Sequence, residues 1–201
     1  MFLFSKKYYL LFFLPIILSV LICILYVPAL SKNYNFTLST SNSNKNISKF
    51  TLSSSGFVWP VPGFTTITSP YGRRTSPTRG ASTFHSGIDI GASPGSNLIA
   101  ALDGKITYTG FYGSGGYTIM LDCGDFVLIY HHVSPNFTVT KDEYVYQGQI
   151  IGQVGPKNVY GVSNNPYKDS NGNPTNGATT GPHLHFTVKK NNQTVNPLDY
   201  F

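Results

Sequence analysis

Charge is scarce in this chain of 201 residues, of which only 11% are Asp, Glu, Lys or Arg. Cysteine is scarcer still. Cys23 lies in an apolar N-terminal run, which leaves Cys123 as the single thiol of the rest and excludes a small module stapled by internal disulfides. Cys123 therefore reads as a packed thiol rather than a nucleophile. No segment after the N-terminal run keeps apolar residues at a 3.6-residue period, so a helical domain is excluded. The balance is basic, 14 Lys and Arg against 8 Asp and Glu, yet no basic stripe is interleaved with aromatics. That argues against nucleic acid and leaves an anionic surface or polymer as the complement of the net charge of +6.

What the chain does have begins with an apolar start. Lys6 and Lys7 precede an uncharged run from Tyr8 to Ser31. About 20 apolar residues cross a bilayer as a helix, whereas a secretory signal has a core of roughly 7–15. Residues 1–31 are therefore expected to be an uncleaved transmembrane anchor, with the lysines inside and the remainder outside the cytoplasm. The competing reading is a signal peptide cleaved near Val27-Pro28-Ala29, which would leave a secreted protein. Residues 32–56 are rich in Ser and Asn, poor in apolar side chains, and read as a flexible linker.

Beyond residue 57 the punctuation changes. Pro62-Gly63, Asp103-Gly104, Gly113-Ser114-Gly115-Gly116 and Cys123-Gly124-Asp125 separate short β-prone runs: IAAL, KITYTGFY, YTIML, FVLIYHHV and QIIGQV. Such spacing predicts a mainly β domain over 57–201 built on antiparallel sheet. Residues 155–180 are dense in Gly, Asn and Pro and run directly into GPHLHF, so they are expected to form a wall or lid of the site.

All five histidines fall in three clusters. In FHSGIDIG, strand alternation would put His85, Gly87 and Asp89 on one face, with Gly87 leaving open space between imidazole and carboxylate. In HLH, His183 and His185 share a face; in LIYHHVS, His131 and His132 end an apolar run. A lone histidine is usually a hydrogen-bonded packing residue, but same-face pairs in separate segments are hard to explain that way. Catalytic zinc takes about three protein ligands and keeps one position open. His85, Asp89 and one of His183 and His185 supply such a set, and spacing alone chooses neither between those two nor between His131 and His132. No glutamate stands in these motifs, so the HExxH type of metalloprotease is absent.

FHSGIDIG, YHHVS and GPHLHF, in this order, closely resemble the signatures of the lysostaphin-type (LytM-like) zinc endopeptidases, which cut peptide bonds in bacterial peptidoglycan. The flanks WPVPG, ITSPYGRR and VNPLDYF are similar to that family too, so the resemblance covers about residues 57–201. It implies an antiparallel β-sheet or barrel-sandwich peptidase domain with long groove-lining loops. It implies one Zn2+ held by His85, Asp89 and His185, with His132 and His183 as catalytic histidines and peptidoglycan peptides as substrate. His131 fills a position that is usually small and reads as a neighbour.

Two rivals come from other classes. A membrane-anchored, non-catalytic scaffold that binds peptidoglycan or a partner protein would suit the anchor and linker. A lipoyl- or biotinyl-type carrier would suit the run from DGKITYTG to GQIIG, but it needs a lysine in a short motif at a hairpin tip, and none is evident. Arg73, Arg74 and Arg79 flank the first cluster either as contacts to an anionic polymer or as a solvated loop. Tyr108, Phe111, Tyr112 and Tyr117 read as strand packing before a groove floor.

Overall fold

Twelve short strands and two 3-10 turns make up the regular structure of residues 56–201, the part that the computed structural model describes. The expected anchor, and all but the last residue of the expected linker, lie outside the described residues. Among those described, no helix is long and apolar enough to cross a membrane. The strands are β1 (Ile67–Ser69), β2 (Gly72–Arg73), β3 (Phe84–His85), β4 (Ile88–Gly91), β5 (Asn97–Ile99), β6 (Gly104–Phe111), β7 (Tyr117–Asp122), β8 (Phe126–His131), β9 (Tyr144–Val145), β10 (Ile150–Gln153), β11 (His183–Lys190) and β12 (Gln193–Val195).

Eight of them form one sheet, seven in the order β1-β4-β11-β8-β7-β6-β9 and the eighth, β12, beside β11 off this path, with every pairing antiparallel. The sheet is open, since its edge strands β1 and β9 do not pair with each other. β11 is its axis. β4 pairs with His183–Phe186 and β12 with Val188–Lys190, while β8 pairs with residues from His185 to Lys190.

Alternation sorts the side chains. Ile88, Ile90, Leu184, Phe186, Val188, Leu128, Tyr130, Ile119 and Leu121 are all fully buried and join one apolar cluster. Each such burial stabilises by roughly 1.5–3 kcal/mol. The ribbon of β5 and β10 lies on this face, adding Leu98 and Ile151 to the cluster. It approaches so closely that a Cβ on Gly152 would come within 2.9 Å of Ile119 Cδ1. Tyr130 is the one polar-tipped member: its hydroxyl accepts from the Ala101 amide at 2.8 Å, which satisfies it in the core.

Aromatic rings seal the chain ends of this unit together. Phe57 stacks on Tyr200 and meets Phe126 edge-on, and Trp59 meets Phe201 edge-on at 4.8 Å between centroids. The Phe57 amide also donates to the Tyr200 carbonyl at 3.2 Å.

Two local expectations are corrected. IAAL is not a strand as a whole, because β5 ends at Ile99 and the Ala100 and Ala101 backbones turn to bond Gln149, Gly148 and Tyr130. FHSGIDIG is not one strand either: Phe84–His85 pair with β2, Ile88–Gly91 pair with β1 and β11, and a bend at Ser86–Gly87 joins them.

Candidate metal centre

The face of the sheet opposite the core carries polar side chains in a row. Register sets Ser69 of β1 beside Asp89 of β4, Asp89 beside His185 of β11, His185 beside His131 of β8, and His131 beside Thr118 of β7. Directly opposed residues share a face, so one line across five strands brings a carboxylate and two imidazoles together. His85 arrives from β3 and is 1% exposed. A cavity of about 450 Å³ opens over this row, and all five histidines line it together with Arg74, Tyr112, Ser114 and Thr180.

Three donor atoms converge at one end. His85 Nε2 lies 3.1 Å from Asp89 Oδ1 and 2.8 Å from His185 Nδ1, and His185 Nδ1 lies 2.9 Å from Asp89 Oδ1. His183 Nε2 stands a little further off, 3.5 Å from the same oxygen. Tetrahedral zinc holds its ligand atoms about 3.3 Å apart, so the triangle needs to open by only a few tenths of an ångström. Among the described residues, His85, Asp89 and His185 are the group of His, Cys, Asp and Glu close enough to share an ion.

Proton placement points the same way. His85 Nδ1 sits 2.7 Å from the Pro70 carbonyl, which only accepts, so Nδ1 carries the proton and Nε2 is bare. His183 Nδ1 donates to the Gly181 carbonyl at 2.9 Å, which leaves its Nε2 bare as well. His185 Nε2 is 2.9 Å from Thr187 Oγ1, and when that hydroxyl accepts, Nδ1 also faces inward without a proton. Bare nitrogens and a carboxylate oxygen crowded together repel unless a cation lies among them. The donor set thus fits a zinc ion. The outer partners, a backbone carbonyl and a hydroxyl, are of the kind that fixes metal-ligating imidazoles.

The second carboxylate oxygen is held elsewhere. Arg74 Nη1 donates to Asp89 Oδ2 at 3.1 Å and also bonds Ser69 Oγ, leaving Oδ1 to the histidines. Burial alone would raise the Asp89 pKa; protons on the inward nitrogens of His183, His185 and His85 would outweigh it and hold the carboxyl far below its ordinary range, and a cation among the bare nitrogens takes their place. Of the three flanking arginines, Arg74 is the one that lines the cavity.

Gly87 has a different purpose from the one its spacing suggests. A Cβ there would lie 2.2 Å from the Phe186 carbonyl and 2.8 Å from Thr187 Oγ1. The space is therefore taken by β11, and the hydroxyl that bonds His185 fills it. Thr187 was legible as the third same-face member of His183, His185, Thr187; Arg74, Ser69 and the Pro70 carbonyl gave no such signal, because only the folded chain brings them in.

His131 and His132 both line the cavity although they are consecutive, which strand alternation forbids. The reason is His132 itself. It leaves β8 with φ +59°, a left-handed conformation uncommon outside glycine. Its amide donates to the Gly115 carbonyl, its carbonyl accepts from Gly155, and its Nδ1 donates to the Asn176 carbonyl at 2.7 Å. Its ring meets that of His183 edge-on at 4.8 Å. Burial, then the neighbouring His183 and His185, lowers the His132 pKa to about 3. His131 packs against Gly115 and contacts Thr118 Oγ1 at 2.9 Å through Nδ1, and burial likewise pulls its pKa well down. The 155–180 segment does supply a wall through Ala178 and Thr180. Cys123 is buried away from the site and its thiol is pushed up to about 12 by burial, consistent with a packing role.

An open antiparallel sheet with a His-Asp-His triangle on its solvent face defines a metallopeptidase-like site. Residues 83–197 match the model of Peptidase family M23, and the chain belongs to that family. The DD-carboxypeptidase/endopeptidase Mpg of Neisseria meningitidis serogroup B is 33% identical over 136 residues, 67% of this chain and 27% of that relative. The murein hydrolase activator NlpD of Salmonella dublin is 26% identical over 166 residues, covering 82% of this chain and 36% of that one. The chain thus spans about a quarter to a third of these relatives. The catalytic domain of lysostaphin from Staphylococcus simulans superposes with a TM-score of 0.53 at 27% identity, covering 67% of this chain and 90% of that domain.

Proposed function

We propose that this chain is a zinc-dependent endopeptidase that hydrolyses peptide bonds in bacterial peptidoglycan, in a stem peptide or a cross-bridge. The observation that carries the proposal is the convergence of His85 Nε2, Asp89 Oδ1 and His185 Nδ1 within 2.8–3.1 Å of one another at the end of an open cavity. These three atoms would hold one Zn2+. When bound, zinc supplies Lewis acidity, which polarises a carbonyl and makes hydroxide available near neutral pH.

The chain's own residues do the rest. Arg74 fixes Asp89 by its outer oxygen and presents the inner one. His132, its Nδ1 proton committed to Asn176, keeps Nε2 as a proton acceptor, and burial keeps the ring neutral at neutral pH. His183, held through Nδ1 by Gly181, offers its bare Nε2 beside the carboxylate. Together they take a proton from the attacking water and return it to the leaving amine. Pro77, Ala81, Tyr112 and Ala178 add apolar groups to the lining of this cavity, where a substrate peptide would lie. Residues 1–31 would anchor this domain on the outer side of the cell membrane, or direct its secretion.

The similarity to a murein hydrolase activator supports a second reading, a scaffold that binds peptidoglycan or a partner protein without cutting. The intact donor triangle favours the enzyme. Incubating the chain with purified peptidoglycan decides between them: zinc-dependent release of new amino termini is expected, and binding without release would establish the scaffold. Mass spectrometry of fragments from defined muropeptides identifies the bond.

A further inference from the structure

Asn176 belongs to the long Gly/Asn-rich segment, outside every strand and every histidine motif, yet it is completely buried. Each of its polar groups is used. Its amide donates to the Lys157 carbonyl at 2.8 Å. Its carbonyl accepts the His132 Nδ1 proton at 2.7 Å. Its side-chain Oδ1 accepts from the Tyr117 amide at 2.7 Å, and Nδ2 donates to the Val133 carbonyl at 2.9 Å. The side chain thus pins the segment to the start of β7 and to the residue after His132, and the backbone reaches the imidazole from there.

Three glycines make this possible. A Cβ on Gly116 would come within 2.3 Å of both the carbonyl and Oδ1 of Asn176, one on Gly155 within 2.6 Å of Nδ2, and one on Gly177 within 2.3 Å of the Ser114 carbonyl. A side chain so closely cradled and so fully bonded has one arrangement. Its placement also explains how His132 persists at φ +59°, because strained backbone survives only where its surroundings over-determine it.

From this geometry we infer that Asn176 is a positioning residue for His132: its side chain clamps the loop so that its carbonyl holds the imidazole in the Nδ1–H form and keeps Nε2 as acceptor. The inference rests on the proposed catalytic part of His132. It makes the loop part of the proton-transfer apparatus rather than only a wall. An amide is needed here because one side chain must both accept from Tyr117 and donate to Val133. Alanine does neither, and aspartate keeps only the acceptor.

The test uses the full chain labelled with 15N-histidine. Long-range 15N–1H NMR of the wild type is expected to show His132 as a single Nδ1–H tautomer; an Nε2–H ring would overturn the inference without any variant. In Asn176→Ala the tautomers should mix. In zinc-loaded protein kcat should fall about 10- to 100-fold, within the range general acid–base groups contribute, while KM and zinc content hold. Asn176→Asp should fall between wild type and Asn176→Ala on both readouts, and it serves alone if the alanine variant does not fold. Unchanged tautomer and unchanged kcat would sink the inference. So would a loss of kcat with the tautomer intact, since that marks a structural effect. If the wild type releases no peptide, the enzymatic reading fails, and the NMR arm still decides whether Asn176 holds the ring.

Discussion

His85 and His185 each spend one ring nitrogen on the protein and turn the other toward Asp89, an economy that leaves neither ring free to rotate. Replacing either by alanine should remove most of the bound zinc, read by elemental analysis of purified protein; full metal in either variant would refute the ligand set. His132→Ala should keep the metal and lose turnover at least 100-fold, the scale of a positioned proton acceptor. Normal turnover in that variant would move the role to another residue. Cys123, with its thiol pushed up to about 12, should resist alkylation at pH 8 until the protein is unfolded, and rapid labelling at Cys123 in the native protein, located by peptide mapping, would contradict its packing.

At the scale of elements, the contact between β4 and β11 sets the site. Gly87→Ala would drive a methyl into the Phe186 carbonyl and Thr187 Oγ1, and a clash against backbone cannot be relieved by a rotamer. A loss of about 1–3 kcal/mol in unfolding free energy is expected, measured by denaturant titration, with weakened zinc retention because the hydroxyl that orients His185 is displaced. Here the limits of sequence reading are plain. The β7 and β8 segments, the HLH alternation and the polar loop were legible because periodicity of two and turn residues are local signals. The break between β3 and β4 was not, since Ser86–Gly87 bends only because β3 finds its partner in β2 and β4 in β11. The left-handed turn at His132 and the capture of Asn176 likewise come from contacts 44 residues apart in sequence. Spacing left His183 and His185 as equals, whereas the fold sets His185 into the row with Asp89 and His131.

For the whole molecule, the buried imidazoles govern acid stability. His132 has a pKa of about 3 when folded against an ordinary 6.5, so between those values the unfolded chain binds the proton that the folded one refuses. Stability is therefore full above about pH 6.5 and falls as the pH drops toward 3. His131 and His185 are displaced in the same direction and add to the slope. Thermal unfolding followed from pH 8 to pH 4 should show a falling Tm, with a shallower fall in His132→Ala; a flat profile would contradict the burial of these rings. Chelation should lower Tm near neutral pH, where the ligands are deprotonated, since a ligand bound only by the native state stabilises it by mass action.

The contact between Gly115 and His131 carries a consequence for descent. A Cβ at position 115 would fall 2.1 Å from the His131 ring. With the imidazole in this position, any side chain at 115 would force the ring to move. The two positions should therefore change together across an alignment of relatives.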